Sequence, residues 1–118
     1  MQLKSYTDLE QSKKLEKILP IESADMYFEK GIGDNYKVSF GNYADMQIAE
    51  NMLGIKIIPC WSLSALLSVL PKGINIRTPN PLNALNYCCW GQYDEIYADN
   101  PIDACYEMIL KLHELNML

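Results

Sequence analysis

Apolar and polar positions alternate along the chain in two rhythms, one with the period of a helix and one with the period of a strand. Leu15, Ile18 and Leu19 make a narrow helical stripe. Thr7-Asp8-Leu9-Glu10 before it has the form of a capping box, in which the Thr7 hydroxyl and the Glu10 carboxylate satisfy orphan backbone N–H groups. Glu10 also faces Lys14 at i,i+4. Pro20 ends the run, because proline disfavours helical geometry in the residue before it. A helix over 7–19 follows. Two strand-like runs come next. Residues 23–29 read S-A-D-M-Y-F-E, and Tyr36, Val38 and Phe40 alternate with Lys37 and Ser39. The glycine- and Asn-bearing stretch 30–35 between them is turn chemistry, so the pair predicts a hairpin.

Residues 41–58 fit two patterns. Ile48, Ala49, Met52 and Leu53 suit one side of a helix that Gly54 would cap, and Ala44, Met46 and Ile48 suit a strand equally well. Beyond them Leu63, Leu66, Leu67 and Leu70 fall at i, i+3, i+4 and i+7, with Ser62 as N-cap and Pro71 as terminator, which predicts a short helix. Residues 71–83 hold three prolines and Gly73 around one short strand over 74–77. The runs 85–90 and 93–98 flank Gly91-Gln92, the spacing of a tight hairpin with a II′ turn. The last helix carries the clearest signals. Asn100 caps it, Pro101 takes its first position and Asp103 adds negative charge to its first turn. Ile102, Cys105, Ile109 and Leu112, extended by Leu115, form its apolar face. This order predicts the α+β class: a single domain over 1–118, with an antiparallel sheet of four to five strands packed by the first, middle and last helices.

Composition agrees with that class. The chain has 118 residues, 49% hydrophobic and 21% charged, enough for one core and too apolar for disorder. Charge narrows the partners. Ten Lys plus Arg against 15 Asp plus Glu give a net of −5, Arg77 is the only arginine, and only Lys13-Lys14 pairs two basic residues. A protein that tracks phosphates needs a basic face, so direct nucleic-acid binding is not expected. The longest apolar stretch, 63–70, is broken by Ser64 and Ser68 and falls far short of the ~20 residues of a membrane span. The opening MQLKSYTDLEQSKK has no apolar core of an export signal, so a cytoplasmic location with reduced thiols is expected.

Candidate chemistry is sparse. The four cysteines Cys60, Cys88, Cys89 and Cys105 lack the paired C-x-x-C spacing of a metal site, and neighbours on a strand point their thiols apart. No cofactor or metal is therefore expected. His113, the only histidine, lies two turns from Cys105 on one helix, about 12 Å along its axis. A Cys–His hydrolase or transferase would need Cys60 or Cys89 to reach His113 through the fold. Gly31-Ile32-Gly33 begins like a dinucleotide fingerprint, but Tyr36 stands where the third glycine belongs. The acids Asp94, Glu95, Asp99 and Asp103 suit solvated surface and caps. If they lined one face, they would suit an acidic decoy of a nucleic-acid-binding protein.

Tyrosine is the unusual count, eight against two Phe and two Trp. Tyr87, Trp90, Tyr93 and Tyr97 all fall on the C-terminal hairpin. Tyrosine places an apolar body at half-wet positions, so this hairpin is the expected binding patch for a protein partner or a second copy of the chain. Three segments, 5–12, 58–71 and 99–109, together resemble a group of small proteins of gut anaerobes and their phages and mobile elements. That group has no assigned activity. The resemblance implies an accessory role in a mobile element and assigns no site residue. The expected function is a non-enzymatic protein-interaction or accessory module.

Overall fold

The computed structural model describes residues 4–33, 35–77, 87–91 and 95–118. Its architecture is mixed helix and sheet, and the chain divides into two compact units, Tyr6–Ala65 and Leu66–Leu118 with Lys4 and Ser5. Among the described residues the strands form two three-stranded antiparallel sheets, where one sheet of four to five strands was expected. The strand that alters the count is β3 (Ile57–Cys60), which lies inside and beyond the ambiguous stretch. It pairs with β1 (Met26–Lys30), whose other edge pairs with β2 (Tyr36–Phe40). Pro59 obscures β3 in the sequence because proline donates nothing to a ladder. It is accommodated because β3 is the outer strand of the sheet.

In the first unit, α1 spans Leu9–Glu16 and is shorter than the 7–19 expected. Its capping box sits one residue later than the sequence pattern suggests. Asp8 accepts from the Gln11 N–H, and the Gln11 side chain accepts from the Asp8 N–H. Thr7 is not the cap because its hydroxyl is spent elsewhere, against Ser12 and the Trp61 N–H. A 3-10 turn, Ile21–Ser23, replaces the start of the first expected strand. The register aligns Met26 with Phe40 and Cys60, and Phe28 with Val38 and Ile58. Residues paired across an antiparallel ladder share a face, and on this one Met26, Phe28, Ile58 and Cys60 form the core with Tyr6, Leu9 and Val38 against it, while Phe40 at the strand end stays exposed. The rings of Tyr6 and Phe28 meet edge to face, 6.2 Å between centroids.

Residues 41–58 settle as helix first and strand after. Asn42 and Asp45 form a capping box that starts α2 (Tyr43–Gln47), and the helix runs into a single π turn, Ile48–Met52. Gly41 must be glycine at that entrance: a Cβ there would lie 2.6 Å from the Tyr27 ring. Gly54, at φ +65°, is the left-handed residue that ends the turn, as its place in the sequence suggests.

The boundary between units falls inside α3 (Leu63–Val69), which Ser62 caps through the Ala65 N–H. In the second unit β4 (Asn75–Arg77), β5 (Tyr87–Trp90) and β6 (Glu95–Ala98) form the sheet. The register pairs Trp90 with Glu95; Gln92, in the expected tight turn at Gly91-Gln92, lies outside the described residues. Helix α4 (Pro101–Glu114) packs on this sheet. It starts as expected, with Pro101 in its first turn and the Asn100 side chain accepting from the Asp103 N–H. Its buried face is wider than the expected stripe, taking in Ala104, Tyr106 and Met108. Leu115 ends the helix in solvent, so it adds nothing to the stripe. No helix among the described residues is long and apolar enough to cross a membrane.

Candidate functional site

The sheet of the second unit has two faces, and strand alternation divides the expected aromatic patch between them. Cys89 and Cys105 of α4 are both fully buried, on elements that pack together, and each shifts the other's pKa, lowered at Cys89 and raised at Cys105, so Cys89 marks the face turned to the helix. Tyr87, two residues earlier, shares that face and is half-buried. Cys88 and Trp90 belong to the opposite face, with their register partners Tyr97 and Glu95. Trp90 and Tyr97 are diagonal neighbours there, roughly 7–8 Å apart, and expose 39% and 51% of their surface. The Tyr97 hydroxyl donates to Glu95 Oε2 at 2.8 Å. That hydrogen bond to a carboxylate, with a second to Cys88, raises the Tyr97 pKa. The structure thus brings Trp90 and Tyr97 together and puts Tyr87 behind them. Tyr93 and Asp94 lie outside the described residues.

Further exposed apolar side chains occur where no binding patch was expected. Phe40 at the end of β2 exposes 84% of its surface, and in the π turn Ile48, Met52 and Leu53 expose 48%, 78% and 65%. The turn carries Ile48 and Leu53 at its two ends, joined by a hydrogen bond from the Leu53 N–H to the Ile48 carbonyl at 3.1 Å. The buried side of the segment is Met46 and Ala49 instead. The sequence groups Ile48, Ala49, Met52 and Leu53 on one side of a helix; the structure buries Ala49 and leaves the other three exposed. The Asn42–Asp45 capping box is the signal that fixes the helix start.

The thiols are each accounted for locally. Cys60 donates to the Thr7 carbonyl at 3.3 Å and accepts from the Thr7 hydroxyl at 3.6 Å. Burial pushes its pKa up, against the lowering effect of the Thr7 and Ser12 hydroxyls, so it is a poor nucleophile at neutral pH. Cys89 and Cys105 are fully buried, and His113 lies two turns beyond Cys105 along α4, exposed near its C-terminus. Of the acids, Asp103 is committed to the helix start. It accepts from Asn100 Nδ2 at 2.8 Å and from Lys4 Nζ at 2.8 Å. Glu95 holds Tyr97, and Asp99 is exposed. Neither a protein-family model, nor a curated protein, nor a solved structure matches this chain.

Proposed function

We propose that the chain is a non-enzymatic protein-binding module, an accessory protein of a mobile element, that engages a partner or a second copy of itself through its exposed apolar side chains. The observation that carries this reading is the exposure of four large apolar side chains, Phe40 at the end of β2 and Ile48, Met52 and Leu53 around the π turn. Four large apolar residues, each about half exposed or more, exceed the scattered single residues of an ordinary surface. Ile48 and Met52 stand on a π turn and Leu53 caps it, a geometry that costs backbone regularity and is found preferentially at functional positions. Trp90 and Tyr97 supply a smaller aromatic surface of the kind that anchors interfaces. The net charge of −5 keeps such a protein dissolved and turns it away from nucleic acid, which favours a protein as the partner.

Exchanging Met52 and Leu53 together for Glu tests the reading. Both side chains are mostly in solvent, so stability should change by less than about 0.5 kcal/mol per site. Sedimentation of the unaltered chain reads self-association against the 13.5 kDa of one copy. The immobilised chain then reads other partners. The expected result is an association lost in the double variant with unfolding unchanged. A monomer that retains the same proteins as its double variant refutes the proposal.

A further inference from the structure

The two edges of the first sheet, ordered β2-β1-β3, are finished differently. The Lys30 N–H donates to the Lys56 carbonyl at 3.0 Å, so the even positions of β1 aim their backbone groups at the even positions of β3. The odd positions of β3, Ile57 and Pro59, turn theirs outward. Pro59 has no N–H to offer there, and just beyond it the Trp61 N–H and carbonyl are both taken by Thr7. That edge is closed. On the other ladder Gly31 donates to the Asn35 carbonyl at 2.6 Å and Gly41 to the Asp25 carbonyl at 3.2 Å, both continuing the register of β1 with β2. The odd positions of β2 therefore face β1. Tyr36, Val38 and Phe40 present their backbone groups to the open side, where no strand lies among the described residues. Their side chains share the core face. Tyr36 and Val38 pack against the core, and Phe40 alone is left in solvent.

We propose that β2 pairs antiparallel with β2 of a second copy, about a two-fold axis at Val38, joining the two three-stranded sheets into one. The proposal rests on the protein-binding reading and names the partner and the edge it uses. In this register Val38 stands opposite the partner's Val38, Tyr36 opposite the partner's Phe40 and Lys37 opposite the partner's Ser39. Every outward residue of each β2 then exchanges both backbone hydrogen bonds across the joint. Phe40 gains the partner's Tyr36 as its cross-strand neighbour, an aromatic pair that carries the core from one copy into the next. Charge fits this register. Lys37 has Glu29 as its register partner on β1 and the partner's Ser39 on its other side, so no like charges stand opposite each other. With the β3 edge closed, the pairing stops at two copies instead of growing into a fibre.

The test is sedimentation of the full chain across a dilution series, read together with amide exchange by NMR. The expected result is a mass that rises with concentration to twice the 13.5 kDa of one copy. The amides of Tyr36, Val38 and Phe40 should gain protection as the dimer forms, while those of Lys37 and Ser39, which face β1, stay protected throughout. Val38→Pro removes an outward donor that the single copy does not use, and should raise the dimer dissociation constant on the order of a hundredfold. Ser39→Lys sets like charges opposite each other across the joint and should weaken the dimer roughly tenfold. Adding Lys37→Glu to it should restore pairing, which serves as the test if Val38→Pro fails to fold. A dimer whose amides at 36, 38 and 40 exchange as in the single copy overturns the proposal but keeps the protein-binding reading, since the copies then meet elsewhere. A chain that stays monomeric at millimolar concentration also overturns it, whatever other protein the immobilised chain retains.

Discussion

Each unit of the chain joins a helix to a three-stranded antiparallel sheet, and the two use opposite chemistry at the junction. In the first, the joint between α1 and β3 is polar. Thr7 Oγ1 accepts from the Trp61 N–H at 3.1 Å, shares a hydrogen bond with Ser12 Oγ at 2.8 Å and donates to Cys60 Sγ at 3.6 Å. Thr7, Ser12, Cys60 and Trp61 are all fully buried. In the second, α4 meets β5 through apolar side chains, with Cys89 and Cys105 both buried. The two joints should therefore fail differently. Removing one member of a buried polar cluster strands its partners, whereas removing an apolar or thiol group forfeits only its contacts.

Thr7→Val is the largest test of that contrast. It keeps the shape and removes the oxygen, leaving the Trp61 N–H and the Ser12 hydroxyl without that partner inside the fold. A loss on the order of 3 kcal/mol is expected in urea unfolding. Cys105→Ala under reducing conditions should cost about 1 kcal/mol, since a small side chain is trimmed and no strong donor is orphaned. Equal losses would mean that both joints are held by packing alone.

Protonation sharpens the comparison further. Burial raises the Cys60 pKa in the folded state above its ordinary 9.0, so folding favours the neutral thiol. The contribution is complete while the unfolded thiol is also protonated, below about pH 9, and is lost as pH rises from there through the folded pKa. Cys60→Ala removes this titration. The stability gap between the parent and Cys60→Ala should narrow with rising pH above 9, by up to about 1.4 kcal/mol per pH unit. A gap independent of pH would show that the thiol titrates alike in both states.

The same contrast explains what the sequence could disclose. Helix α4 was legible because its signals agree: an Asn cap, a proline in the first turn, an acid behind it and an apolar stripe at helical spacing. The first hairpin, β1 with β2, was legible from its alternation. The polar joint was not, because a threonine before a helix reads as a cap, and nothing local indicates that its hydroxyl is claimed by residues more than fifty positions away. Long-range pairing also hid β3, whose Pro59 argues against a strand until the sheet edge is known. The expected aromatic patch was half legible. Strand parity separates Tyr87 from Trp90 in the sequence itself, but only the contact with α4 says which parity faces the helix. The exposure of Ile48, Met52 and Leu53 was hidden for a related reason: periodicity groups side chains on a face without saying which face is covered.

The two asparagine caps provide the smallest test, with the cap chemistry held constant. Asn42 and Asn100 each accept from the backbone N–H of the aspartate three residues on, at 3.1 and 2.8 Å. Their surroundings differ. Asn100 is buried at the start of a 14-residue helix whose length lies against a sheet, and its amide also donates to Asp103. Asn42 is exposed at the start of the five-residue α2. Replacing a cap asparagine by alanine costs between about 0.5 and 2 kcal/mol. Asn100→Ala should fall in the upper half of that range, because burial leaves the Asp103 N–H without water to replace the lost acceptor. Asn42→Ala should cost about 0.5 kcal/mol, because water takes the acceptor's place. If Asn42→Ala proved the costlier, the short helix and its π turn would depend on the cap more than on Met46 and Ala49, the two residues it buries. The exposed side chains Ile48, Met52 and Leu53 would then be held in place from the polar end of their helix.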